Sequence, residues 1–203
     1  FLTNHDMPRV ATQLDGDQER LRLAASLLLT LPGTPFLYYG EEIGMVGDKP
    51  DPDIRTPMQW SAEEHAGFST AEPWKTPNLD FRTTNVVDQT ADPSSLLSLY
   101  RRLTHLRKQT QALRHGEIEF LSNDAAPRGM LAFLRTVKGQ RVLVAHNLVE
   151  EPVTAGPLQV AATGGEILFT SADGTTASFE GGLLLTLPPS ASVVVRLEEA
   201  ASR

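Results

Sequence analysis

The chain has 203 residues, 40% hydrophobic and 21% charged, with no cysteine and a formal net charge of −7. That apolar content supports a packed core and argues against a disordered chain, while the absence of cysteine excludes a disulfide framework and any Cys-ligated metal. The acidic balance argues against a nucleic-acid partner, whose footprint is a basic stripe, and no apolar run is long enough to span a membrane. The length suits one large or two modest domains, and a cysteine-free chain accords with a cytoplasmic location.

In chain order, Phe1-Leu2-Thr3-Asn4-His5-Asp6 reads as the end of a buried strand that delivers a His-Asp pair. On residues alone, such a pair is more often a hydrogen-bonded cap for the next loop than a site. Asp15 and Asp17 then supply N-cap oxygens before the apolar run Leu21 to Leu31, and Pro32-Gly33 ends that helix. Thr34 to Tyr39 is a short apolar, aromatic-rich run bounded by Pro35 and Gly40, as expected of a parallel strand covered on both faces. The adjacent Glu41 and Glu42 point to opposite sides if extended, so they do not form a catalytic carboxylate pair.

Val46 to Asp92 has little helical or alternating pattern and is punctuated by five prolines, Pro50, Pro52, Pro57, Pro73 and Pro77. Loops of this length in compact domains are usually functional. Within it, Arg55 presents a rigid, always charged fork of donors suited to clamping an acceptor oxygen while pairing with a carboxylate; a loop tether paired with Asp51 or Asp53 accounts for it equally well. Trp60 and Trp74 are expected to anchor the loop to a core. From Asp92 the pattern is helical, with Asp92 as cap, Pro93 at the first position and Leu96, Tyr100, Leu103 and Leu106 on one face. Arg101, Arg102, Arg107 and Lys108 are expected mostly on or beside the solvated face, His105 and His115 at the surface, and Gly116 at the helix end.

After Gly116 the chain reads as short strands joined by turns. Lys138-Gly139 and Asp173-Gly174 mark hairpins, LLLTL and SVVVRLE close the chain around Pro188-Pro189, and His146-Asn147 is read as turn chemistry. The expectation is an antiparallel β-sandwich over 117–203.

The strings FLTNHD, TPFLYYGEEIGM, DPDIRTPMQW, AGF at Ala66 to Phe68, Pro73-Trp74, and DPSSLLSLYRRLTHLRK occur in an order that resembles the α-amylase family, glycoside hydrolase family 13, over roughly residues 1–116. The resemblance implies an α/β plus all-β protein: residues 1–116 as the C-terminal portion of a (β/α)8 TIM barrel, with strands seven and eight and their helices, then a β-sandwich domain at 117–203. The loop strings are closest to the oligosaccharide α-glucosidase branch.

By that resemblance Asp6 is a catalytic transition-state stabiliser, His5 a catalytic hydrogen-bond donor, and Asn4, His5, Asp6 and Arg55 bind substrate. The nucleophile and acid/base would lie upstream of Phe1, so the chain alone is expected to be inactive. The implied partners are an oligosaccharide and the N-terminal remainder of the same enzyme, with no nucleic acid and no membrane; no cofactor is implied and no metal ligands are identified. Two other functions stay open: a transglycosylase or isomerase of the same family, of the trehalose synthase kind, and a non-enzymatic sugar-binding relative.

Overall fold

The structure is a computed structural model that describes residues 1–121, 126–158 and 160–198. The chain divides into two compact units, one of Phe1–Ala24 with Thr34–Arg102 and one of Ala25–Gly33 with Leu103–Arg203.

The first unit is helix and loop. It contains α1 (Val10–Gln13), most of the chain's loops, α3 (Asp51–Ile54) and α4 (Val86–Ala91), and it takes the first parts of α2 (Gln18–Thr30) and α5 (Leu96–Gln109). Asp17 caps α2 as expected, its Oδ1 accepting the amides of Glu19 and Arg20 at 2.9 and 3.1 Å. Helix α5 starts three residues later than Pro93. Asp92 instead closes a turn by accepting the Ser94 amide and hydroxyl, and Ser95 is the true cap, its Oγ accepting the Ser98 amide at 3.1 Å. A small core of Ile43, Met45, Met58 and Leu97 is closed by Val86.

The two segments expected as barrel strands carry no strand ladder. The amide of Thr3 is used by a side chain, donating to Glu41 Oε1 at 3.1 Å. Phe1 and Phe36 are 67% and 66% exposed, and Leu37 and Tyr39 are also open. A parallel strand exists only through neighbours on its edges, and the described residues offer these segments none. Glu41–Ile43 is a 3-10 turn rather than an extended run, with Glu41 buried and Glu42 half-buried.

The second unit is built on two antiparallel sheets. One has five strands in the order β1 (Glu117–Phe120), β2 (Met130–Val137), β3 (Gln140–Asn147), β8 (Ser192–Glu198) and β5 (Gly164–Thr170); the other orders β4 (Val153–Leu158), β7 (Leu183–Leu187) and β6 (Thr176–Ser178). Alternate residues of both sheets meet in one core: Ala132, Leu134, Leu143, Val193 and Val195 from the first, with Ala155, Leu158, Leu183, Leu185 and Leu187 from the second. The Lys138-Gly139 hairpin forms as expected, with Val137 opposite Gln140. Asp173-Gly174 does not make a hairpin, because β5 pairs with β8 and β6 pairs with β7, so the turn carries the chain between sheets.

Central β3 is buried on both faces, and α6 (Gln111–His115) packs against β2 and β3. Gly116 follows α6 because a Cβ there would lie 2.4 Å from the Ala112 carbonyl and 2.9 Å from that of Thr136. Its φ of −67° is ordinary, so close approach explains this glycine rather than a left-handed cap.

The C-terminal end of α2 leaves carbonyls without helical partners, and two buried arginines take them. Arg107 donates to Leu29 O at 2.9 Å, Leu31 O at 3.1 Å and Gly33 O at 2.5 Å, and Arg135 donates to Thr30 O at 2.7 Å. Arg107 is therefore not on the solvated side. It continues the buried stripe of Leu96, Tyr100 and Leu103. His105 and His115 are exposed, as expected.

Asn147 fulfils the turn reading, bonding Glu151 O at 2.7 Å, Pro188 O at 2.8 Å and the Val149 amide at 3.0 Å. His146 does not. Its ring is fully buried, with Nδ1 2.8 Å from Ser192 Oγ and Nε2 3.1 Å from Thr30 Oγ1. The Thr30 hydroxyl already donates to Ser26 O at 2.7 Å, so it accepts from His146 and the neutral ring carries its proton on Nε2.

Burial pushes the His146 pKa from 6.5 down to about 3. Between those values the unfolded chain binds a proton that the folded chain refuses, so this contribution to stability is intact above pH 6.5 and is lost as pH falls toward 3. Urea unfolding of the protein across this range is expected to lose up to about 1.4 kcal/mol per pH unit from this group. His146→Gln is expected to flatten that slope; an unchanged slope in the variant would show that other groups carry it.

Candidate functional site

The site begins with a turn. Asn4 O accepts the Met7 amide at 3.2 Å, and Asn4 Oδ1 accepts the Asp6 amide at 2.9 Å, so Asn4 folds the chain back and turns His5 and Asp6 outward. Behind the turn, Glu41 Oε1 holds Thr3 through both its amide and its hydroxyl, the latter at 2.5 Å. Burial raises the Glu41 pKa, and the Thr3 hydrogen bonds partly offset it.

The loop that carries Arg55 is brought to this turn by α1 and by two tyrosines. Arg9 N donates to Gly47 O at 2.9 Å, and Gly47 N donates to Thr12 Oγ1 at 2.7 Å. Gly47 is required by close approach, since a Cβ would lie 2.6 Å from Asp53 O. Tyr38 donates its hydroxyl to Ile54 O at 3.0 Å and Tyr39 donates to Thr56 O at 2.7 Å, so the residues on either side of Arg55 are both tethered. Burial, with a contribution from the Tyr39 hydroxyl, pushes the Tyr38 phenol up to about 12, so Tyr38 stays a protonated donor.

The tyrosines are in turn backed by Arg9. Its guanidinium is fully buried, 4.6 and 4.7 Å from the Tyr38 and Tyr39 ring centres, and it donates to Tyr39 O at 2.6 Å. Its Nε and Nη2 have no hydrogen-bond partner among the described residues, and burial lowers its pKa.

Held in this way, Arg55 gathers three acceptors. Nε donates to His5 O at 2.9 Å, and Nη2 donates to Asp6 Oδ1 at 2.9 Å and to Asp51 Oδ2 at 2.7 Å. His5 Nε2 lies 3.3 Å from the other Asp6 oxygen. Sequence position separates Arg55 from Asp6 by 49 residues, yet they form one cluster. Asp51 is the acidic partner within the loop, because α3 places it four residues before Arg55 on the same face; Asp53 pairs with Lys75 instead.

The cluster faces solvent, with the Arg55 side chain 37% exposed and that of Asp6 62% exposed. Exposed ion pairs contribute only about 0–1 kcal/mol. Stability therefore does not explain why one guanidinium is fixed on three acceptors.

The rest of the loop is ordered by short elements that the sequence pattern did not announce. Gln59 is buried and donates to Thr84 O at 2.6 Å and Asp80 Oδ1 at 3.2 Å, and Asn85 caps α4 by accepting the Asp88 amide at 2.9 Å. Trp60 and Trp74 are not anchors: they are 49% and 66% exposed. The loop is instead anchored by these polar side chains, with Met58 in the small core.

In sequence Tyr38 and Tyr39 read only as strand residues, and Arg9 carries no signal of its own. Their positioning role depends on contacts with carbonyls 16 and 17 residues away. Tyr39→Phe removes the tether to Thr56 and is expected to cost about 1 kcal/mol, with faster amide exchange confined to residues 54–58. Exchange there at the unaltered rate would mean that Tyr39 does not hold the loop.

Residues 1–116 match the profile described as alpha amylase, catalytic domain, and residues 130–194 match that of the alpha-amylase SusG C-terminal domain. The chain is 38% identical to alpha-amylase 3 of Dictyoglomus thermophilum over 150 residues, covering 73% of this chain and 29% of that protein. It is 30% identical to an oligo-1,6-glucosidase of Halalkalibacterium halodurans over 187 residues (72% and 33%) and 38% identical to a trehalose synthase of Pimelobacter sp. over 162 residues (71% and 27%).

Among solved structures, an alpha-amylase from H. orenii aligns with a TM-score of 0.82 at 38% identity, over 98% of this chain and 39% of that one. The chain thus spans about a third of the length of the curated relatives it matches. With a catalytic-domain match over more than half its residues, the chain belongs to the α-amylase family.

Proposed function

We propose that this chain forms part of a retaining glycosidase that cleaves α-glucosidic bonds in malto- and isomalto-oligosaccharides. Residues 1–116 would be the C-terminal portion of its barrel, with Phe1–Asn4 and Thr34–Tyr39 as strands seven and eight, and 117–203 its β-domain. The exposed side chains of Phe1, Phe36 and Leu37 support this reading, because they are the surfaces that neighbouring barrel strands would cover. Active groups at the carboxyl ends of strands are the rule for such barrels.

The observation that carries the functional reading is that Arg55 bonds both His5 O and Asp6 Oδ1 on an open surface. A retaining glycosidase needs a nucleophilic carboxylate and an acid/base carboxyl about 5 Å apart. In this reading both come from the N-terminal remainder of the enzyme, and Asp6 is a third carboxylate. It grips ring hydroxyls more tightly as the sugar distorts and positive charge develops at the reacting carbon. His5 donates to a neighbouring hydroxyl, Arg55 binds the terminal ring, and Asn4 sets the turn that presents them.

The near-equal similarity to a trehalose synthase and an alpha-amylase favours a second reading, in which a sugar rather than water attacks the glycosyl-enzyme intermediate. Products from maltose separate the two: glucose alone for the hydrolase, trehalose for the isomerase.

For the complete enzyme, Asp6→Asn is expected to lower kcat by about 100- to 1000-fold with the fold retained, since a group aimed at developing charge is worth about that much. Near-normal turnover would reduce Asp6 to a loop cap. The chain 1–203 without its remainder is expected to release no glucose from maltose, isomaltose or a nitrophenyl glucoside. Turnover by that chain would contradict the division of catalytic groups proposed here.

A further inference from the structure

Asp51 has no part in the reading above, yet it shares the Arg55 nitrogen that holds Asp6. Its Oδ2 takes one N–H of Nη2 at 2.7 Å, and Asp6 Oδ1 takes the other at 2.9 Å. With Nε on His5 O, three of the five guanidinium donors are committed. Nη1 makes no hydrogen bond among the described residues and keeps both of its N–H groups.

We infer that Asp51 is the positioning residue of this site: by occupying half of Nη2 it keeps the Arg55–Asp6 contact single-pronged and leaves the second Asp6 oxygen available. The physical reason is the strong preference of a guanidinium for a carboxylate in fork-on-fork geometry, with two parallel hydrogen bonds. Free of Asp51, Arg55 would rotate onto Asp6 and take both of its oxygens. That would remove the oxygen that now faces His5 Nε2 at 3.3 Å and turn Nη1 inward.

Asp51 is itself held for this task. Lys49 Nζ donates to Asp51 Oδ1 at 2.5 Å, leaving Oδ2 to Arg55, and the one turn of α3 fixes the spacing between the two. The Lys49 hydrogen bond, with Arg55 nearby, keeps the Asp51 carboxyl below the usual carboxylate range, so it stays an acceptor. The groups are exposed, so the arrangement is a matter of geometry rather than stability.

This inference rests on the proposed sugar-binding role of Asp6 and Arg55, and the experiment separates the two. The complete enzyme is prepared as wild type, Asp51→Ala, Asp51→Asn, Arg55→Ala and the Asp51→Ala/Arg55→Ala pair. Crystal structures without sugar are compared with KM and kcat on maltose and isomaltose. In Asp51→Ala, Arg55 is expected to bond both Asp6 oxygens and KM to rise roughly tenfold, the scale of one charge-assisted hydrogen bond, with kcat falling less. Asp51→Asn keeps an acceptor and is expected to restore most of the loss.

In the Arg55→Ala background, Asp51→Ala is expected to add nothing further, because its effect passes through Arg55. If Arg55 in Asp51→Ala still bonds Asp6 by one oxygen only, the inference is overturned whatever the kinetics. A doubly bonded Arg55 with unchanged KM overturns it too, provided Arg55→Ala raises KM. Should Arg55→Ala leave KM unchanged, the sugar-binding reading of Arg55 fails, and the substrate role of Asp51 falls with it.

Discussion

The arrangement of the candidate site depends on one guanidinium. Among the described residues, Arg55 ties the His5–Asp6 turn to the long loop at their exposed edge, and a set of contacts around it fixes where it stands. Tyr38 and Tyr39 hold the carbonyls on both sides of it, Arg9 lies against both rings, and Gly47 leaves room for the Asp53 carbonyl two residues before Arg55. An exposed ion pair gains too little to order its own side chains. The order is therefore supplied from beside it, by half-buried hydroxyl-to-carbonyl hydrogen bonds between neutral groups, and the ion pair then falls on a prepared geometry.

The second unit solves a different problem by related means. A helix that ends in a packed interior leaves carbonyls that must be satisfied, and Arg107 and Arg135 take those of Leu29 and Thr30 at the end of α2 and of Leu31 and Gly33 just past it. His146 joins the same helix end to β8 through two hydroxyls, as a neutral ring. Each of these groups is costly to bury alone. Together they form a polar seam under a five-stranded sheet whose other face belongs to an apolar core.

Much of this was legible in sequence where the signal is local. The alternating strands after Gly116, the Lys138-Gly139 hairpin and the cap at Asp17 follow from side-chain period and turn chemistry. Sheet membership was not legible, since β5 and β6 flank a good turn yet pair with partners far along the chain. Arg107 could have been found: spacings of four, three and four from Leu96 through Tyr100 and Leu103 place it on the buried stripe, where a charged residue implies a carbonyl to satisfy. Asp51 could likewise have been chosen over Asp53, since only the i, i+4 spacing puts a carboxylate over Arg55 on a helical turn. The exposure of Trp60 and Trp74 had no local signal, because a tryptophan in a Pro-rich loop reads the same whether it is buried or open. The tyrosine tethers were equally silent.

The proposed site makes its sharpest claim about where a sugar goes. A crystal structure of the complete enzyme with bound glucose would test this most directly. The account expects ring hydroxyls within about 3.2 Å of the Asp6 carboxylate and of Arg55 Nη1, with the Arg55 bonds to His5 O and Asp51 retained. Glucose bound elsewhere, with Asp6 and Arg55 touching only each other, would contradict it.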